Sequence, residues 1–224
     1  MAKNIKKTST DDKVLFYYYK AVEYFQNNSK TVYIALTVIV LIAAGIFFYI
    51  NNKKAAEEEA NMELVKVQRL YDQQKYDQAI NGDSAGTTRG LLYIVNEYGS
   101  TESGNTAKLL LGNSYFALLD FDNALKYYDS YSGSNLIYKA TSLAGVAAVY
   151  EAKLQYLEAA QQFEKAAGIN PDIALNDQFL YYAARNYSKV NDKDGYMKVL
   201  EKLRKDYPKS TYIALTEKFE GLFL

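Results

Sequence analysis

The residues that most often carry out chemistry are missing from this 224-residue chain, which has no cysteine and no histidine. Their absence excludes disulfides, thiolate chemistry, the usual zinc sites and histidine acid–base catalysis. Carboxylates are plentiful, but no pair of them stands in a motif that would bring two together in a cleft. Residues 57–59 are three glutamates in a row; they point in different directions on a helix, which favours a solvated face over a metal site. We therefore expect a non-enzyme with no cofactor, no metal and no small-molecule substrate.

Side chains that could bind a protein instead recur at a regular spacing. Three segments each present residues about one helical turn apart, and equivalent positions lie 35 residues apart (109 to 144) and 37 residues apart (144 to 181). If these segments are the first helices of stacked helical hairpins, whose first helices line a concave face, the inward positions are Leu109, Asn113 and Phe116, then Ala144, Ala148 and Glu151, then Tyr181, Arg185 and Ser188. The candidate binding residues among them are Leu109, Asn113, Phe116, Glu151, Tyr181 and Arg185. Such a mixed, mostly apolar groove suits extended or helical protein segments. The alternative is that some of these residues pack against the terminal helix and bind nothing.

The elements that would position these residues form helical repeats. The clearest unit, 140–173, has small residues where two helices must approach, aromatic residues beside them, and a proline that ends the second helix. These residues are Ala147, Tyr150, Ala159, Phe163, Ala166 and Pro171. The pattern resembles the tetratricopeptide repeat family. The resemblance implies an all-α solenoid whose first helices line a concave face.

Two further units fit this pattern less completely. The unit 105–138 departs from it at Tyr131 and Leu136, and the unit 177–210 places Tyr196 at a position where a small residue is usual. A final helix is expected over 210–223, with Ser210 as its N-cap. The predicted repeat domain therefore covers 51–224, and a degenerate first unit uses the helix that follows the anchor.

Clamp-type members of the tetratricopeptide family use lysine and asparagine in the groove to hold a terminal carboxylate. Here Leu109 and Ala144 stand at the lysine positions, so that Asn113 is a weak remnant and Arg185 is the only base among the inward positions. The resemblance therefore does not extend to that specificity.

Residues 31–50 form an uncharged run of twenty residues, which as a helix would be about 30 Å long and match the hydrocarbon core of a bilayer. Lys30 on one side and Lys53 and Lys54 on the other flank the run. A cleaved signal peptide is the alternative, but the run is too long and no small-residue cleavage site follows it. The sequence therefore predicts a single transmembrane helix.

The segments on either side of this anchor also have helical patterns. Residues 12–26 read as an amphipathic helix in the N-terminal tail, 1–30, which would lie in the membrane interface or dock on a partner protein. Residues 27–29 form a break, and 51–74 are rich in helix-forming residues. Residues 1–50 carry six lysines and three acids, whereas 51–224 carry 20 basic and 23 acidic residues. The six lysines before the anchor outnumber Lys53, Lys54, Lys66 and Arg69, the basic residues within twenty residues after it, and this count leans toward a cytoplasmic N-terminus.

Small residues within the anchor, Ala43, Ala44 and Gly45, form a patch where another membrane helix could approach closely. The zero formal net charge of the chain argues against a general nucleic-acid binder. We therefore expect proteins and the lipid bilayer to be the partners.

The order and spacing of these segments carry a second resemblance, which covers nearly the entire chain. A short amphipathic helix, an Asn-Asn-Ser-Lys break, one spanning helix, an Ala/Glu-rich helix and degenerate repeats resemble the ancillary SecYEG translocon subunit family, which shares its repeat domain with a cell-division coordinator. The resemblance implies a bacterial inner-membrane protein with periplasmic repeats. It would assist translocating clients at the SecYEG translocon, beside a prolyl-isomerase-like membrane chaperone. A structural scaffold for another envelope assembly, in secretion, cytochrome maturation or division, is the alternative.

Overall fold

The computed structural model describes residues 10–223 and contains eleven α-helices and one 3₁₀ helix over that range. Within these residues the only β-type pairing is an isolated bridge between Gly82 and Arg89, so the described chain is all-helical. The chain divides into two compact units, one ending at Lys53 and the other beginning at Lys54. This division lies close to the predicted start of the repeat domain at residue 51.

The N-terminal unit contains α1, Thr10–Asn27, and the first part of α2, Ser29–Asp72. The predicted helices over 12–26, 31–50 and 51–74 are thus confirmed, the last two as one continuous element. Near the N-terminus, α2 has a window of 18 residues with a mean hydropathy of 2.6, none of it buried within the protein. This helix is long and apolar enough to span a membrane. The break between α1 and α2 is Asn28 alone, which is shorter than the predicted 27–29.

The C-terminal unit continues from the second part of α2 through a series of shorter helices, most of which pack against the next one in sequence. They are α3, Tyr76–Asn81; α4, Leu91–Tyr98; α5, Glu102–Ala117; α6, Phe121–Asp129; α7, Leu136–Ala152; α8, Tyr156–Ala167; α9, Asn176–Lys189; α10, Lys193–Asp206; and α11, Tyr212–Glu217. The predicted units 105–138, 140–173 and 177–210 each contain most of one pair of consecutive helices, and the first also includes the start of α7; their assignment as tetratricopeptide repeats stays a prediction. Their first helices begin up to four residues earlier than predicted, as α7 does at Leu136 rather than at residue 140.

The turn between the two helices of a pair has the same conformation wherever it occurs. A residue with positive φ stands at Gln74, Leu119, Leu154 and Asn191, at 59°, 63°, 61° and 56°. In each turn the next residue donates its N–H to a carbonyl five residues earlier, as Gln155 does to Tyr150 at 2.9 Å and Asp192 does to Tyr187 at 3.0 Å. This is the hydrogen bond that closes a helix whose C-terminus enters the left-handed region. The backbone therefore repeats one helix–turn–helix geometry four times.

The predicted terminal helix over 210–223 is shorter than expected and is interrupted. After α11 the chain forms a separate 3₁₀ helix, Glu220–Phe223. The carbonyl of Thr216 accepts the Tyr196 hydroxyl at 2.9 Å and the N–H of Phe219 at 3.0 Å, so it serves a tighter turn rather than an α-helical one. The prediction of Ser210 as the N-cap is wrong, because the N-cap of α11 is Thr211, which makes no side-chain capping hydrogen bond; the Ser210 hydroxyl accepts the N–H of Tyr212 at 3.1 Å from one residue farther back.

The approach of α5, α6 and α7 depends on two glycines that face one aromatic ring. A Cβ atom added at Gly112 or at Gly145 would lie 2.5 Å from the ring of Tyr128, which is closer than any real contact. The ring of Tyr128 is buried and packs with Leu109, Ala124, Val146 and Val149. The two glycines therefore allow an aromatic side chain of α6 to lie flat between its neighbouring helices.

We predict that Gly112→Ala lowers the free energy of unfolding by about 1–2 kcal/mol, because the overpacking penalty exceeds the gain in helix propensity. Thermal or urea unfolding of the C-terminal unit measures the change. Gly168→Ala is the control, since its added Cβ would meet nothing closer than 3.4 Å. In a Tyr128→Leu background the effect of Gly112→Ala should shrink; an unchanged effect would show that the ring is not the cause.

The left-handed turns lead to a second prediction. Leu154 adopts positive φ although leucine is strained there, whereas Asn191 occupies the equivalent position with a residue that tolerates it. We expect Leu154→Asn to raise the free energy of unfolding and Asn191→Leu to lower it, each by about 0.5–1 kcal/mol. Chemical denaturation of the two variants tests this, and changes of the same sign would contradict it.

Candidate protein-binding groove

A groove of about 350 Å³ opens on the C-terminal unit, along α7 and between α5 and α9. Five of the predicted inward positions line it: Asn113, Ala144, Ala148, Glu151 and Arg185. The sequence spacing thus identified one face shared by three helices. Further lining residues that the spacing did not predict are Thr141, Gly145, Phe163, Phe179 and Tyr182.

Three of the predicted binding residues lie outside this groove. Leu109 is only 5% exposed and belongs to the core around Tyr128, so its assignment as a binding residue is wrong. The reason is that α5 turns this position toward α6 and α7 rather than toward solvent. Phe116 is half-buried and packs edge-to-face on Phe121, with ring centroids 5.6 Å apart.

Tyr181, the third of these residues, is covered by the C-terminal segment. Its ring centroid lies 5.3 Å from that of Tyr212 and 6.1 Å from that of Phe219. Tyr181 therefore follows the alternative given in the sequence analysis, in which an inward position packs against the C-terminal segment. The open part of the groove ends before it, because Tyr181 is not among the groove-lining residues.

Asn113 lies at the α5 side of the groove, and both ends of its side-chain amide are occupied. Its Nδ2 donates to the Tyr71 hydroxyl at 3.1 Å, and its Oδ1 accepts the Tyr128 hydroxyl at 2.8 Å. Burial raises the pKa of both tyrosines, so both hydroxyls stay protonated over the ordinary pH range, with Tyr128 donating to Asn113 and Tyr71 accepting from it. Asn113 therefore ties α2, α5 and α6 together, and this role explains an asparagine here without any carboxylate clamp.

The charged rim of the groove consists of one carboxylate and two cations. Nη2 of Arg185 donates to both oxygens of Glu151, at 2.9 and 2.8 Å, and Nζ of Lys189 donates to Oε1 at 3.0 Å. The Arg185 guanidinium lies 4.8 Å from the centroid of the Tyr182 ring. These contacts link α7 to α9, and charge-assisted bonds of this kind are stronger than neutral ones.

The protonation of Glu151 is set by its surroundings. Burial by itself raises the pKa of its carboxyl group. The hydrogen bond from Lys189, the nearby amide of Asn186 and the charge of Arg185 outweigh burial and hold that pKa below its usual range. Glu151 is therefore ionised at neutral pH, and the rim carries one negative and two positive charges.

The floor of the groove is apolar and combines small with aromatic residues. Ala144, Gly145 and Ala148 follow one another along α7, and the rings of Phe163 and Phe179 flank them. Short side chains on a helix leave room for a larger side chain from outside. Contact with the rings would then remove apolar surface from water. The geometry suits an incoming apolar side chain better than a charged group.

The glutamates at 57–59 are partly engaged within the C-terminal unit, in contrast to the expected solvated face. Glu57 accepts the N–H of Ser103 at 3.1 Å and its hydroxyl at 2.6 Å, and so caps the first turn of α5. Glu59 accepts the Tyr98 hydroxyl at 2.9 Å. The sequence contained a signal for this contact: Glu57 lies one turn before Ala60, on the helix face that was expected to pack inward.

The small-residue patch at Ala43, Ala44 and Gly45 is exposed, and a Cβ atom added at Gly45 would meet nothing within 4 Å. Its role in helix association stays a prediction. Among the side chains described from residue 13 to residue 223, no three Asp or Glu groups converge on a point that could hold a metal ion.

Comparison of this chain with known protein families, with curated proteins and with solved structures finds no match.

The carboxylate rim generates a pH-dependent prediction. The pKa of the Glu151 carboxyl is lower in the folded protein than in the unfolded chain. The ionised carboxylate therefore stabilises the fold fully at any pH above the ordinary carboxyl pKa, and this stabilisation is lost as the pH falls through the lowered pKa. Glu151→Gln should therefore lower the melting temperature at neutral pH, and the gap to the unsubstituted protein should narrow in acid. Melting curves across that range, with the exposed Glu158→Gln as control, measure the effect; a constant gap would contradict it.

Proposed function

We propose that this protein is a membrane-anchored, non-enzymatic protein-binding module whose groove holds apolar segments of other proteins. The observation that carries the proposal is the 350 Å³ groove itself, with its floor of small and aromatic side chains and a rim on which Glu151 is bonded to both Arg185 and Lys189. A groove of this chemistry favours a segment that inserts a bulky apolar side chain and has few charges of its own.

The repeated backbone geometry supports a tetratricopeptide-like solenoid as the architecture of this module. Four equivalent turns and successive helix pairs are the features that such a stack requires. Nine of the ten groove-lining residues lie on α5, α7 and α9, which are the first helices of three consecutive pairs; the tenth, Phe163, lies on α8. The concave face of a solenoid is built from these helices.

The anchor would be the apolar part of α2, residues 31–50, crossing the bacterial inner membrane once. Its freedom from charge, its exposure and the flanking Lys30, Lys53 and Lys54 support this assignment. The lysine-rich tail favours a cytoplasmic N-terminus, which puts the repeats in the periplasm.

The most specific form of the proposal is an accessory subunit of the SecYEG translocon. In this form the groove receives translocating clients as they emerge, beside a prolyl-isomerase-like membrane chaperone. The resemblance in segment order and spacing described above is its basis, and the groove chemistry is compatible with unfolded clients, which expose apolar side chains. A scaffold for another envelope assembly has the same anchor and groove but different partners.

The groove can be tested by filling it. We predict that Ala148→Phe reduces crosslinking from a photoreactive residue placed at Thr141 to translocating clients in intact membranes, because the added ring occupies the floor. Ala152→Phe is the matched control, since Ala152 lies on the same helix, is exposed and does not line the groove. Equal crosslinking in the two variants would place the interface elsewhere.

The partners can be tested separately. Purification of the full chain in mild detergent should recover SecY and the membrane chaperone. Their absence, together with recovery of a different envelope assembly, would reject the translocon assignment in favour of the scaffold while leaving the groove intact.

A further inference from the structure

Helix α1 presents large apolar side chains that nothing in the described chain, 10–223, covers. Eight of them are between 39 and 68% exposed: Val14, Leu15, Phe16, Tyr17, Tyr18, Tyr19, Tyr24 and Phe25. None belongs to the three cores of the C-terminal unit. An exposed apolar surface of this density on a helix indicates a binding surface.

The distribution of side chains around α1 is amphipathic. At 100° per residue, Val14, Tyr18, Val22 and Phe25 share one face, whereas Lys13 and Lys20 lie opposite to it. Tyr17, Tyr19 and Tyr24 lie on the flanks of this face, and Phe16 lies on the side of the lysines, with Nζ of Lys20 6.0 Å from the centroid of its ring. A protein groove would cover a single face of the helix. Rings with polar tips on the flanks suit the headgroup layer of a membrane better.

The position of α1 in the chain also indicates the membrane surface as its partner. Asn28 alone separates α1 from α2, and the uncharged run begins only three residues later, at Thr31. Across this break the rings of Phe25 and Tyr33 are in contact, with centroids 5.6 Å apart. If 31–50 spans a bilayer, the last turn of α1 is held at its surface.

Asn28 provides the point at which the chain direction can change between the two helices. Its backbone N–H donates to the carbonyl of Tyr24 at 2.9 Å, and its side-chain Nδ2 donates to the same carbonyl at 3.1 Å. Asparagine side chains that bind the local backbone compete with a continuous helix. A straight extension into water would leave the apolar face of α1 solvated, whereas a turn at Asn28 lets that face enter the lipid.

The charge of this segment selects the lipid. Residues 1–30 hold six lysines, two aspartates and one glutamate, so the net charge of this N-terminal segment is +3, while α1 itself carries Asp11, Asp12 and Glu23 against Lys13 and Lys20. Clusters of basic residues beside a spanning helix are attracted to anionic headgroups. We propose that α1 is an in-plane anchor that binds the surface of a bilayer containing anionic lipid, with the face of Val14, Tyr18, Val22 and Phe25 turned toward the acyl chains. This inference rests on the proposed function only in requiring that 31–50 spans the membrane.

The absence of cysteine makes the test direct, because each single-cysteine variant of the full chain can carry one environment-sensitive fluorophore. Val22→Cys labels the proposed lipid face, Glu23→Cys labels the adjacent polar side, and Val40→Cys labels the spanning segment. The labelled chains are reconstituted in vesicles of phosphatidylcholine, with and without phosphatidylglycerol, and challenged with aqueous iodide.

We expect the Val22→Cys label to emit at shorter wavelength than the Glu23→Cys label and to be shielded from iodide, more strongly when phosphatidylglycerol is present. Equal quenching of these two labels with a shielded Val40→Cys label would overturn the in-plane anchor alone. A quenched Val40→Cys label would overturn the spanning helix, and with it both proposals. Shielding of Val22→Cys that disappears on dilution with lipid would identify a second copy of the chain as the partner and would also overturn the inference.

The lysines can be tested in the same vesicles. Lys13→Gln with Lys20→Gln should abolish the additional shielding caused by phosphatidylglycerol. The control, Lys139→Gln with Lys165→Gln, removes two exposed lysines of the C-terminal unit and should leave that shielding unchanged. An unchanged response in the first pair would reject the anionic selectivity.

Discussion

The packing of one tyrosine ring against two glycines is the constraint on which the C-terminal unit depends. Tyr128 of α6 fits between α5 and α7 only because Gly112 and Gly145 have no side chains. Its hydroxyl then reaches Asn113, whose amide extends the contact to Tyr71 on α2. A large buried ring and a satisfied hydrogen-bond chain thereby fix the separation of helices drawn from three parts of the sequence.

The groove is a consequence of this spacing. One side of α7 packs against the ring of Tyr128. On its open side α7 has only the small residues Ala144, Gly145 and Ala148, and these form the shallow apolar floor of the groove. Gly145 takes part in both surfaces. The pair formed by Glu151 and Arg185 joins α7 to α9 at the edge of that floor. Residues that stabilise the stack are therefore also residues that shape the candidate binding surface.

Much of the helical layout could be predicted from the sequence, because residue periodicity and length determine helices locally. Positions 113, 144, 148, 151 and 185 were placed on one face by aligning the segments on a helical-hairpin repeat pattern, and all five line the groove. Leu109 was misassigned because the same spacing does not state how far a helix is rotated toward its neighbour, and packing around Tyr128 decides that. The positive φ angles of Leu119 and Leu154 could not be predicted from the sequence, since leucine does not favour the left-handed backbone conformation.

The contacts of the C-terminal unit have a consequence for the order in which it can form. Nearly every helix packs mainly on the helix before it and the helix after it, and α11 contacts α9 and α10. Chains dominated by contacts between sequence neighbours fold rapidly and can extend a folded nucleus one element at a time. The C-terminal unit can thus assemble progressively along the sequence, from the second part of α2 toward α11. Tyr181 stays uncovered until Tyr212 and Phe219 arrive, so closure of this last aromatic contact marks the completion of the fold.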